Sequence, residues 1–141
     1  MALCVVIHAG GLAAVLAKLR SWRGAASGSY WRATGLFVAL AIWVVFLHLL
    51  EITVWALHYF TIEAFGDPQA AFYFSAVTYT TTGYGDLVLP EDWRLVGGIE
   101  ALTGILMCGW STGFFFAVVS RLHDQTPVAP LARGAGETTR A

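Results

Sequence analysis

Charge is what this sequence has least of: Asp, Glu, Lys and Arg make up only 12% of its 141 residues, against 57% hydrophobic. An ordinary soluble domain carries about twice that charged fraction, so this balance excludes one and places the chain in the membrane class. Cysteine is nearly absent too. The two present, Cys4 and Cys108, lie in apolar stretches without ligand-like spacing, which excludes a disulfide framework and a zinc site. Both read as small buried hydrophobes. No nucleophile and base pair, metal-ligand set or phosphate loop is found, so neither an enzyme nor a cofactor is expected, and no nucleic-acid partner.

What is there comes in apolar runs, over residues 2–17, 35–60, 70–79 and 95–120. The second and fourth have 26 residues each, enough at about 1.5 Å per residue to cross a hydrocarbon core of about 30 Å with some tilt. The third is too short to cross. The first has no Lys or Arg at its start and no small-residue cleavage site at its end, so residues 1–19 are expected to form an additional N-terminal membrane helix rather than a signal peptide.

Charge sets the expected orientation. Lys18, Arg20, Arg23 and Arg32 meet no acid between them, which makes the loop over 20–33 cytoplasmic by the positive-inside rule. Trp22, Tyr30 and Trp31 give that loop an amphipathic flavour suited to the inner leaflet and its anionic lipids. Between residues 61 and 94, Glu63, Asp67, Asp86, Glu91 and Asp92 face Arg94 alone, as expected of an external loop. The last run returns inward to Arg121. The Pro-, Gly- and Thr-containing tail over 125–141 is expected to be disordered.

The short run is the informative one. Asp67 is placed to cap a helix, Pro68 suits its first position, and the apolar residues to about Thr80 supply some three turns. Both flanks are external, so this helix must enter the membrane and come back out. It is followed by "TTTGYGD", Thr80 to Asp86. Irregular backbone at that depth is tolerated only inside protein or beside water. Gly83 and Gly85 permit dihedrals that turn successive carbonyls to one side, where they can replace the hydration shell of a bare cation.

On these residues the sequence resembles the pore module of two-transmembrane potassium channels, over roughly residues 35–121. "TTGYG", Thr81 to Gly85, differs at one position from the TVGYG filter loop of that family. The resemblance implies an all-α membrane protein of outer helix, re-entrant pore helix, selectivity filter and inner helix, with the pore domain at 34–124. It implies K+ sites at the carbonyls of Thr81, Thr82, Gly83 and Tyr84, with Gly85 and Asp86 completing the outer mouth. One chain with one filter and no repeat implies a homotetramer. Gly104 and Gly109 both lie near the position of the family's inner-helix gating hinge. Thr82 departs from the usual Val or Ile, and Val77 stands where some members place a glutamate behind the filter.

The function expected is therefore passive, potassium-selective conduction, K+ being the permeant ion and lipid the surroundings, in what the resemblance suggests is a bacterial inner membrane. A weakly selective cation channel, favoured by Thr82, and a non-conducting scaffold or accessory subunit are the alternatives. No apolar run carries repeated arginines, so no voltage sensor is expected.

Two acids, Glu51 and Glu100, fall inside spanning runs, where carboxylates are costly and usually functional. Counting from the run ends puts both about 10 to 14 Å below the outer boundary, at the level of the pore helix. His48, Glu51 and Trp55 share a helix face. The expectation is that Glu51 and Glu100 support the filter through hydrogen bonds to His48, Trp55, Tyr73, Ser75, Thr78 or Tyr79. His48 and Glu51 supply only two metal ligands, with no second motif to complete a site. His8, His58 and His123 read as interfacial, together with Trp22, Trp31, Trp93 and Tyr59; Trp43 lies deeper, packed or lipid-facing.

Overall fold

The computed structural model describes residues 1–21 and 30–124. Most of the basic loop and the tail from 125 onward, and with them the expected cytoplasmic face and disorder, lie outside the described residues. Four α-helices follow in order: α1 (Ala2–Ser21), α2 (Tyr30–Thr61), α3 (Pro68–Tyr79) and α4 (Arg94–Asp124), with a single 3-10 turn at Glu91–Trp93 leading into α4. The described residues contain no strand. Three stretches, Ala2–Leu19, Trp31–Thr61 and Glu91–Arg121, are long and apolar enough to cross a membrane. The 12 residues of α3 reach only about 18 Å at 1.5 Å each, too short to span.

Helix α3 begins and ends for local reasons. The Asp67 carboxylate accepts the Ala70 amide at 3.1 Å, and Pro68 opens the first turn, where a missing N–H costs nothing. At the other end the amides of Thr80 and Thr81 fold back onto the carbonyls of Ala76 and Thr78. Between these ends Ala71, Phe74, Ser75 and Tyr79 are buried, wedging the helix between α2 and α4.

Two apolar clusters hold the helices together. One gathers Cys4, Ile52, Trp55, Tyr59, Ala71, Phe74, Tyr79, Leu89 and Met107 around α3. Within it Tyr59 meets Phe74 edge to face, with ring centroids 5.3 Å apart. The other joins Leu40 and Val44 of α2 to Phe114 and Val118 of α4, with Leu12, Val15, Leu16 and Leu19 of α1 packed against it. Trp43 is packed: its Nε1 donates to the Gly11 carbonyl at 3.2 Å and ties α1 to α2.

Large apolar side chains also point outward, among them Ile42, Leu57, Leu102, Ile105 and Phe116. Such faces suit lipid or further subunits. Cys108 lies on the outward face of α4, not buried as expected; Cys4 is fully buried.

At Gly104 helix α4 leaves no room for a side chain. A Cβ there would stand 2.9 Å from the Tyr79 carbonyl carbon and closer still to its oxygen. Helix α3 therefore ends directly on this glycine, a close approach of backbones that only Gly allows. Gly109 meets nothing within 4 Å.

Candidate functional site

The segment after α3 has an alternating backbone. Positive φ occurs at Thr81 (59°), Gly83 (55°) and Gly85 (78°), while Thr82 and Tyr84 between them stay negative. A strand sends successive carbonyls to opposite sides, whereas alternating left- and right-handed residues turn them to the same side. For Gly83 and Gly85 this conformation is cheap. For Thr81 it is not, and a strained non-glycine residue at such a point is a pointer to function.

The hydrogen bonds fix which side the carbonyls take. The amides of Thr82 and Gly83 both turn back to the Val77 carbonyl, at 2.9 and 3.3 Å, and that of Thr81 to Thr78 at 2.9 Å. The peptides of the described residues are trans, so each amide aimed at α3 sends the carbonyl of the preceding residue the other way. Thr80, Thr81 and Thr82 thus present their carbonyls away from α3. Residues 81–86 are exposed in the single chain.

Side chains finish the segment. The Thr82 hydroxyl pairs with that of Thr80 at 2.9 Å, and Thr80 donates to the Ala76 carbonyl at 2.7 Å. The polar atom that Thr82 adds is thereby satisfied. At the far end Tyr73 donates to Asp86 at 2.8 Å, clamping the end of the segment to the first half of α3. The bond to that carboxylate holds the Tyr73 hydroxyl above its usual range.

Behind this segment the two intramembrane acids occupy separate places, both fully buried. Glu100 receives Ser75 at 2.5 Å and Tyr59 at 2.8 Å. Ser75 also lies 2.9 Å from the Ile52 carbonyl. Glu51, on α2, faces α3 one turn further along, at Tyr79. It receives the hydroxyl of Tyr79, the last residue of that helix, and its other oxygen is 2.9 Å from Nδ1 of His8. His48 approaches Glu51 only to 3.9 Å but touches Tyr79 through Nδ1 at 3.0 Å and Ser111 through Nε2 at 3.1 Å. Ser111 in turn is 3.1 Å from Nε2 of His8.

Of the partners expected for the acids, Ser75 and Tyr79 hold them, and His48 acts through Tyr79. Three differ. Tyr73 bonds Asp86 instead, Thr78 bonds neither acid, and Trp55 packs in the core with its Nε1 lacking a hydrogen-bond partner. Three residues were not anticipated. His8 and Tyr59, expected at the interface, are fully buried, because each satisfies a carboxyl that has no water. Ser111 joins both histidines. The rule that flags intramembrane acids would have flagged His8, which sits midway along an apolar run. His58, in the last turn of α2, contacts Trp55, Tyr59 and Trp93.

With His8 added, the ligand atoms of His8, His48 and Glu51 lie within 4.8 Å of one another, a group that a metal ion could join. The pair of sequence ligands is therefore a triad in space.

Comparison with known proteins agrees with this architecture. The family described as "Ion channel" matches residues 36–121. The potassium voltage-gated channel protein Shal of Drosophila melanogaster is 38% identical over 63 residues, 43% of this chain and 11% of its own length. This chain thus spans about a tenth of that relative. No solved structure matches. A family match over more than half the chain, on a framework of outer helix, short helix, TTGYG loop and inner helix, places the protein at the membrane and in the ion channel family, as a two-transmembrane potassium-channel pore module preceded by one further helix.

Proposed function

We propose that this protein is the subunit of a potassium-selective channel that conducts K+ passively through a homotetrameric pore. The observation that carries this reading is the alternating backbone of residues 81–85, together with the carbonyls of Thr80, Thr81 and Thr82 turned away from α3. Four such strips around an axis would supply the oxygen cage that replaces the hydration shell of K+. The carbonyls of Thr81, Thr82, Gly83 and Tyr84 would bind the ion, and Gly85 and Asp86 would shape the mouth. The carboxyl end of α3 adds its partial negative charge at the same place.

The relative named for potassium transport supports the choice of ion. The exposure of residues 81–86 in one chain fits a site completed by other copies. In this reading the basic loop faces the cytoplasm, the acidic loop faces outward, and Gly104 or Gly109 serves as the hinge of the inner helix.

The test is flux into liposomes holding the purified protein. K+ should enter far faster than Na+, and Gly83→Ala should abolish the difference, because a Cβ at φ 55° strains the loop. Equal flux of both ions would instead favour the weakly selective pore.

A further inference from the structure

The five contacts around Glu51 form a closed ring. From the carboxyl it runs to His8, from His8 to Ser111, from Ser111 to His48, from His48 to Tyr79, and from Tyr79 back to the second carboxyl oxygen. It takes one contribution each from α1, α3 and α4 and two from α2, so it touches all four α-helices of the described residues.

Its protons can be counted. Five hydrogen bonds need five protons. Uncharged His8, His48, Tyr79 and Ser111 bring one each, and a protonated Glu51 brings the fifth. Every group then donates once and accepts once. With Tyr79 donating to Glu51, His48 donates to Tyr79, Ser111 to His48, and His8 to Ser111, while the fifth proton lies between Glu51 and His8. The ring is complete only when its net charge is zero, and that is the state a membrane interior favours.

The same count disfavours a bound metal. Each ligand atom already has a partner, and a divalent ion held by one carboxylate would leave a net charge buried among helices.

We propose that His8 is a positioning residue for the ion-conducting segment. Helix α1 closes an electroneutral ring that fixes Tyr79, and Tyr79 fixes the peptides that follow it. The ring holds the Tyr79 hydroxyl from two sides, and its carbonyl rests on Gly104. Thr80 to Gly83 hang from the carbonyls of the same last turn. The N-terminal helix is then part of the pore's working structure and not only an anchor. This role rests on the channel reading above.

The test compares K+ and Na+ flux and thermal unfolding in wild type, His8→Ala, Ser111→Ala, Glu51→Leu and Glu51→Gln. Opening the ring should lower the K+/Na+ flux ratio about tenfold in His8→Ala and Ser111→Ala. Glu51→Gln has both a donor and an acceptor and can keep the ring closed, so it should recover most of the ratio lost in Glu51→Leu. Should His8→Ala not fold, the milder Ser111→Ala carries the test.

A flux ratio untouched in Ser111→Ala, or Glu51→Gln no better than Glu51→Leu, overturns the proposal. So do visible absorption bands from added Co2+ that vanish in His8→Ala, since they would mean a metal centre. A wild type passing neither ion sinks the channel reading but not the ring, which the unfolding data judge separately. The double variant His8→Ala with Glu51→Leu should be no less stable than the worse single one; additive losses would show that no ring exists.

Discussion

Gly104 is the residue whose side chain is most tightly forbidden. A methyl group there collides with the backbone of Tyr79, which is part of a helix end and has nowhere to move. Gly104→Ala is therefore expected to destabilise the fold by about 1–3 kcal/mol or more, as overpacking does, lowering the midpoint of thermal unfolding in detergent. Gly109→Ala meets open space within the subunit and should leave that midpoint unchanged. The pair separates packing from hinging: a gating change in Gly109→Ala at constant stability would assign the hinge to Gly109. Single residues were also where sequence reading reached least. Asp67 and Pro68 were legible because a cap and its helix lie within four positions. His8 and Ser111 were not, because their contact joins residues 103 apart in the chain and nothing local announces it. Tyr59 has the composition of an interfacial aromatic, and only the placement of Glu100 across the helix pair makes it a buried donor.

At the level of elements, the pore helix is the one least able to hold itself. Twelve residues are marginal for an isolated helix in water, so its cap and its packing between α2 and α4 decide whether it forms. Asp67→Ala should cost about 1 kcal/mol and fray the first turn, which carries the segment leading to Tyr73 and its bond to Asp86. Hydrogen exchange at the amides of 70–73 should accelerate while those of α2 stay protected; equal protection in the variant would mean that packing alone suffices. The order of helices was readable because run length and the membrane's thickness are both simple lengths. The alternating backbone of 81–85 was readable in part. Glycines at 83 and 85 announce two of its three positive φ angles; Thr81 adopts the third against its own preference, held by the amide bonds around it.

For the whole molecule, charge is distributed by segment more than by amount. Five acids against one arginine lie between residues 61 and 94, while the net charge of the chain is only −1. These groups are exposed; Asp67 and Asp86 also hold Ala70 and Tyr73, and in the proposed channel the loop would add a screened field at the mouth. At low K+ the single-channel current should fall as impermeant salt is raised from about 0.01 M to about 1 M, over which the screening length shrinks from about 30 to about 3 Å. A current insensitive to that change would show that the loop's charge plays no part in conduction. The contact between Gly104 and Tyr79 has a mechanical consequence as well. The inner helix and the end of the pore helix share a bearing surface without a side chain's thickness of slack between them. Bending at that point cannot be absorbed by a rotamer, so it must lift or drag the last turn of α3; in the channel proposed above, the two ends of the conduction path would be geared through one glycine.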